Sequence, residues 1–112
     1  MNDEMTEIAA DIIEVAATEV RYWGSAHYKG STGTLTLEDT TEGILPVKIT
    51  PESLLAWLKG SHTETLVRQV GDPYQKAAIR ALAAQDPEAD WDAETADLLM
   101  QGIMFDGQVI YG

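Results

Sequence analysis

The chain has no cysteine, which excludes disulfide bonds and zinc sites built on thiolates. It has two histidines, His27 and His62, and they show no HxH or HxxxH metal-ligand spacing. No apolar run approaches the roughly 20 residues that a membrane helix requires. The first residues are acidic where a signal peptide would be basic. These absences predict a soluble, cytoplasmic protein with no metal, no cofactor and no membrane contact.

Basic residues are also absent from both ends of the chain. Residues 1–20 contain six acidic residues and no Lys or Arg, and residues 81–112 contain seven acidic residues and again none. All seven basic residues lie between these ends, so the net charge of −12 is concentrated in them. Acidic ends repel nucleic acid and attract basic proteins, so we expect a protein partner with a basic surface and no direct nucleic-acid binding. Solubility alone is an alternative explanation of the charge.

The length and spacing patterns predict one domain over residues 1–112, because no Pro- or Gly-rich linker interrupts the chain. Apolar residues at helical spacing predict a first helix over residues 4–20. The pattern then breaks, with His27 in a loop and a turn over residues 30–33. Alternating Leu and Thr predict a strand over residues 33–38, and a second strand over residues 44–49 contains Pro46, which places it at an edge or a bulge.

Three helix-start signals follow, each a capping residue with a proline or a glutamate at first-turn spacing. They predict helices over residues 51–60, 61–70 and 73–85, beginning after Thr50, Ser61 and Asp72.

The last 22 residues carry the clearest pattern in the chain. Asp90 or Asp92 can cap a helix whose inward stripe ends near residue 103, and Asp106-Gly107 can stop it. Residues 108–111 then read as an apolar strand, which we expect to join the hairpin. The predicted fold is α+β, with a small antiparallel sheet (the hairpin plus this C-terminal strand) packed with about four helices.

No catalytic motif is present, so we expect no enzyme. Ser61 and His62 are sequence neighbours, whereas hydrolase triads assemble in space around a strained GxSxG elbow that is missing here. Residues 29–34 resemble a phosphate loop in composition, but they lack GxxxxGK[ST] and precede a strand, so a turn is the better interpretation. The acids near residue 92 do not follow the EF-hand order.

Two groups of charged residues are candidate binding surfaces. A candidate acidic interaction surface is formed by Glu7, Asp11, Glu14, Asp90, Asp92, Glu94 and Asp97. A candidate anion patch is formed by His62, Arg68, Lys76 and Arg80. The alternatives are helix capping with a solvated face for the acids, and ion pairs with the acidic ends for the bases.

Two stretches resemble a known group of proteins. Residues 19–23 (EVRYW), and residues 92–97 (DAETAD) leading to Phe105, Gly107 and the final VIYG, are similar to E-G-G-x-x-Y-W, D-A-x-x-A-D and F-G-x-x-x-Y-G runs. Those runs occur in small uncharacterised acidic proteins of actinobacterial phages and prophages. Val20 and Arg21 stand where that group has paired glycines, and Asp106 is an additional residue. The resemblance implies a mobile-element origin, in a class whose acidic members often inhibit host machinery, including restriction and CRISPR systems.

The leading hypothesis is therefore a non-enzymatic phage accessory protein that binds and inhibits a host or defence protein through an acidic surface, with mimicry of nucleic acid as one mode. The alternative is an oligomeric protein that binds and sequesters a small molecule or nucleotide through the anion patch. The sequence leaves the oligomeric state open.

Overall fold

The computed structural model describes residues 3–20, 23–39 and 46–109. Within these residues the chain forms five α-helices and one three-stranded antiparallel sheet, which confirms the predicted α+β class. In chain order the elements are α1 (Asp3–Glu19), β1 (Gly24–Lys29), β2 (Thr34–Asp39), β3 (Val47–Ile49), α2 (Pro51–Leu58), α3 (His62–Gln69), α4 (Pro73–Ala83) and α5 (Ala93–Met104).

Helix α1 lies at the centre of the fold. One of its faces is apolar at helical spacing and fully buried, including Met5, Ile12, Ile13 and Ala16. It packs against α5 and α2 on one side and against β1 and β2 on another, while α4 packs against α3 and α5. The apolar face of α1 contacts the neighbouring helices and strands, so the opposite face of α1 is turned to solvent.

The sheet contains the predicted hairpin and one strand that the sequence analysis missed. β2 is central, pairing with β3 through Leu35↔Ile49 and with β1 through His27↔Thr36. Leu35, Leu37 and Ile49 are buried beneath the sheet. The second strand of the hairpin is an edge strand, as predicted, but it begins at Val47, and Pro46 lies exposed just before it rather than within it. Residues 40–45, which include the start of the predicted second strand, lie outside the described residues.

The third strand is β1, and the prediction of a loop at His27 is wrong. Its sequence, GSAHYK, is polar and mostly exposed, so it lacks the apolar alternation that identifies a half-buried strand. Backbone pairing with β2 along its whole length makes it a strand.

The predicted C-terminal strand is not seen in its described part. Asp106 and Gly107 end α5 with φ values of 53° and 88°, as the stop signal predicts. Gln108 and Val109 are outside the sheet, and residues 110–111 lie outside the described residues. The side chain of Gln69 holds this segment instead, since its amide nitrogen donates to the Gly107 carbonyl (2.6 Å) and its oxygen accepts from the Val109 N–H (2.9 Å).

The helix caps match the sequence at three of the four predicted starts. Thr50, Asp72 and Asp92 each accept a backbone hydrogen bond from the first turn of the following helix. Ser61 makes no such bond, so the predicted capping box with Glu64 is wrong. The short α2–α3 connection places Ser61 in helical conformation, where its side chain is not positioned to cap.

Candidate functional site

The solvent face of α1 carries a row of carboxylates. Glu4, Glu7, Asp11 and Glu14 are all exposed, and their steps of three and four residues place them on one face. We call these four residues the acidic stripe. The stripe lies opposite the buried apolar face of α1, so the two faces result from one helical pattern.

Only Glu4 of the acidic stripe lies in the first turn of α1, where the helix dipole favours negative charge. Like charges three or four positions apart in a helix cost about 0.2–0.5 kcal/mol per pair. The last turn of α1 has no basic residue, and Glu14 lies towards the end where the helix dipole disfavours negative charge. In the part of the chain that the structure describes, the ion pair within 4.0 Å joins Arg80 to Glu64 and involves no stripe residue. Among the described residues, the stripe therefore presents negative charge to solvent with no cation in ion-pair distance.

Asp92 and Glu94 have structural partners. The Gln75 amide nitrogen donates to a carboxylate oxygen of each, both at 2.9 Å, and Gln75 is 1% exposed. This amide, followed by bonds from Thr95 and the Glu94 N–H, lowers the pKa of Asp92 below its usual 3.8. Gln75 thus fastens the start of α5 to α4, and these two acids are part of that junction.

Asp90 lies on the rim of a groove beside α4. The groove has a volume of about 250 Å³ and is lined by Tyr74, Ala77, Ala78, Ala81, Asp86, Glu88, Ala89 and Asp90. Alanine side chains form an apolar floor, and three carboxylates stand around it. Partial desolvation, the hydrogen bond to Asp90 and the nearby negative charges raise the pKa of Tyr74 above its usual 10.0. We call this feature the α4 groove.

Asp97 is not part of an acidic surface, and its assignment there is corrected. It is 7% exposed, and its carboxylate accepts hydrogen bonds from the indole nitrogen of Trp23 (2.7 Å) and the amide of Gln101 (3.1 Å). It occupies the buried side of α5, next to the apolar stripe, because Trp23 needs a hydrogen-bond acceptor there.

An acidic residue lies within the candidate anion patch and reduces its positive charge. His62 and Arg68 are on α3 and Lys76 and Arg80 are on α4, and these helices pack together. Arg80 already pairs with Glu64 at 3.5 Å, and both side chains are more than half exposed. An ion pair of this kind is worth under about 1 kcal/mol, but it places a negative charge within the patch.

The outer face of the sheet carries a second basic surface, which the sequence analysis missed. A hollow of about 430 Å³ is lined there by His27, Tyr28, Lys29, Thr32, Thr34, Thr36 and Lys48. Lys29 and Lys48 are separated by 19 positions in the chain and come together only because β1 and β3 flank β2. The alternating threonines of β2 were a usable signal, since they mark the outward face of the strand.

In residues 3–20, 23–39 and 46–109 no three His, Asp or Glu side chains are grouped as a metal site would require. None of the described helices is both long and apolar enough to span a membrane. No protein-family model, no curated protein and no solved structure matches this chain.

Proposed function

We propose that this protein is a non-enzymatic binding protein that docks its acidic surface on the basic surface of another protein. The observation that carries the proposal is the acidic stripe: four exposed carboxylates on one face of α1, with no cationic partner among the described residues. Like-charge repulsion among Glu7, Asp11 and Glu14 is expected to cost stability, so their presence in one row is better explained by a partner than by the fold.

The spacing of the stripe favours a partner that normally binds nucleic acid. From Glu4 to Glu14 the helix rises about 15 Å, which gives about one charge per 5 Å along the axis. One strand of B-DNA carries one phosphate per about 3.4 Å. A basic groove that tracks a phosphate backbone would therefore meet a similar, somewhat sparser, row of negative charge on α1.

The α4 groove would supply a second contact of matching chemistry. Its alanine floor suits the aliphatic stem of an arginine or lysine, and the carboxylates of Asp86, Glu88 and Asp90 suit the cationic head. The exposed ring of Tyr74 offers a face for a cation. Such a contact would add specificity to the less directional attraction of the stripe.

The resemblance to small phage proteins extends the proposal to a target class. We propose that the partner is a nucleic-acid-handling host or defence protein and that binding inhibits it by occupying its basic surface. This step rests on the resemblance at residues 19–23 and 92–112, and the binding mode rests on the stripe.

The test is a tagged-protein capture from nuclease-treated host lysate, with a charge variant and a matched control. Glu7→Gln/Asp11→Asn/Glu14→Gln removes three stripe charges, whereas Glu38→Gln/Glu52→Gln/Glu64→Gln removes three exposed charges from other elements. We expect a partner that the wild type and the control capture and the stripe variant loses. Binding should also weaken between about 0.05 and 0.5 M salt and compete with duplex DNA. Equal capture by both variants, or binding that ignores salt, would overturn the proposal.

A further inference from the structure

The outer face of the sheet brings basic and hydroxyl side chains into one row. The register aligns His27 on β1 with Thr36 on β2 and Lys48 on β3. Adjacent strands are about 4.8 Å apart, so His27 and Lys48 flank Thr36 at roughly equal distances. Lys29 and Thr34 form the next pair on the same face, two positions along each strand.

The positive charge of this face is local. Lys29 and Lys48 are exposed, and neither has a carboxylate within 4.0 Å among the residues that the structure describes. The acidic residue with the same outward register is Glu38, which pairs with Ser25 and lies one row beyond His27. Across the rest of the molecule the net charge is strongly negative, so two lysines beside one hollow are an exception.

The hydroxyl groups of the hollow are already ordered. Thr32 lies in the turn between β1 and β2, and its hydroxyl is 3.1 Å from that of Thr34 and 3.4 Å from the Lys29 carbonyl. When the Thr32 hydroxyl donates to Thr34, the Thr34 hydroxyl keeps its own proton to donate outward. Lysine ammonium groups and threonine hydroxyls together are the donors that bind phosphate oxygens.

The hollow is larger than a single phosphate group. Tyr28 borders it, but Tyr28 pairs with the buried Leu35 and so alternates to the opposite face of β1 from His27 and Lys29. The volume of about 430 Å³ is sufficient for a molecule larger than inorganic phosphate. Small-ligand sites commonly span about 300–1,000 Å³.

From this arrangement we infer that the outer sheet face binds a small phosphate monoester. Lys29 and Lys48 take the phosphate, and the threonine hydroxyls hydrogen-bond to it. A net charge of −12 repels a long polyanion, while a small ligand experiences mainly the charges within a Debye length of about 8 Å. The site therefore fits a small phosphate monoester better than a nucleic-acid strand.

The experiment is a calorimetric and NMR titration of the full chain with adenosine and guanosine monophosphates, inorganic phosphate and a short single-stranded oligonucleotide. Lys29→Gln and Lys48→Gln, each made alone, are compared with Lys59→Gln, which removes the same single charge at the end of α2. We expect mononucleotide binding that shifts the amides of β1 and β2. Each sheet variant should bind several-fold more weakly, and the Lys59 variant should bind as the wild type does.

A further variant tests which face of the sheet binds. Tyr28→Leu alters the opposite face of β1 and should leave the affinities for the mononucleotides and for inorganic phosphate unchanged. No binding at millimolar nucleotide, equal loss in the sheet and Lys59 variants, or tighter binding of the oligonucleotide than of the mononucleotide would each overturn the inference. The stripe variant Glu7→Gln/Asp11→Asn/Glu14→Gln should retain nucleotide binding, so failure of this inference and failure of the proposed function are distinguishable.

Discussion

The indole nitrogen of Trp23 donates a 2.7 Å hydrogen bond to the carboxylate of Asp97, which lies 74 positions further along the chain. Gln101 donates to the other oxygen of the same carboxylate at 3.1 Å, and the ring of Trp23 lies 5.6 Å from that of Phe105. One buried carboxylate therefore connects the residue just after α1 to the middle of α5. The segment that follows α1 and helix α5 therefore meet at this point, far apart in the sequence.

Removal of the Asp97 carboxylate should destabilise the fold far more than removal of an exposed acid. Asp97→Ala leaves the Trp23 N–H and the Gln101 amide without this acceptor in the core, and each such loss costs about 1–3 kcal/mol. Asp97→Asn keeps an oxygen for Trp23 and should lose less. The measurement is urea unfolding followed by tryptophan fluorescence.

Asp11→Asn is the matched control, since Asp11 is exposed on α1 and its removal relieves two like-charge contacts, so it should raise stability by up to about 1 kcal/mol rather than lower it. If Asp97→Ala were as stable as this control, Asp97 would not have the structural role that its contacts indicate.

The sequence predicted the helices well because their signals are local. Apolar spacing defines α1 and α5, and the caps Thr50, Asp72 and Asp92 are read from residues three or four positions apart. β1 was missed because a strand held by pairing needs no apolar alternation of its own. The C-terminal segment was misread for the converse reason: an apolar run does not reveal that Gln69, 40 positions earlier, supplies the hydrogen bonds of Val109.

The candidate site was predictable only in part. The acidic stripe follows directly from helical spacing, since exposed positions on an amphipathic helix are fixed by its apolar face. Asp97 was assigned to the surface because it is charged, although Asp97 and Gln101 are four positions apart on α5 and a buried tryptophan needs an acceptor. The basic sheet face depends on which strands are neighbours, and no spacing along the chain shows that Lys29 and Lys48 share a hollow.

Asp92 should make the stability of the fold depend on pH below neutrality. Hydrogen bonds from the Gln75 amide, from Thr95 and from the Glu94 N–H hold the pKa of Asp92 below the usual 3.8. On acidification, the unfolded chain therefore takes up the proton at a higher pH than the folded chain does. The contribution is therefore complete above about pH 4–5 and is lost as the pH falls through the lowered folded-state pKa. Asp92→Ala should cost about 1 kcal/mol at pH 7, and this difference from wild type should shrink at acid pH.

Thr50→Ala is the matched control for that pH dependence, because Thr50 caps α2 with an uncharged hydroxyl. The Thr50→Ala substitution should lower the free energy of unfolding by about 1 kcal/mol, both at pH 7 and at acid pH. A parallel pH response of the two variants in chemical unfolding would contradict the role assigned to the Asp92 charge.

Gly102 should resist substitution although it lies in a helix, where alanine is normally favoured. A Cβ at this position would lie 2.8 Å from Cη2 of Trp57 and 3.0 Å from Cδ2 of Leu66. Overpacking of this kind costs about 1–3 kcal/mol, whereas the gain in helix propensity is about 1 kcal/mol. We expect Gly102→Ala to lose up to about 2 kcal/mol in thermal or urea unfolding.

Two comparisons separate this steric effect from a general intolerance of glycine replacement. Gly71→Ala meets nothing within 4 Å and should be neutral or slightly stabilising. Trp57→Leu removes the rigid ring, so Gly102→Ala should cost less in that background than in the wild type. Equal costs in both backgrounds would exclude the Trp57 contact as the cause.

The acidic stripe should act against stability, and this separates a functional surface from an incidental one. Glu7→Gln/Asp11→Asn/Glu14→Gln relieves three like-charge neighbour contacts along α1, each worth about 0.2–0.5 kcal/mol, so the variant should be more stable than wild type by about 0.5–1.5 kcal/mol. The gain should be larger at low salt and fade near 1 M, where screening reaches about 3 Å. Urea unfolding at two salt concentrations measures both effects.

A variant that gains stability while it loses its partner would show that the stripe carboxylates are retained for binding. Neither solubility nor folding requires these carboxylates to lie in one row on α1. A loss of stability at low salt would instead mean that the stripe carboxylates support α1.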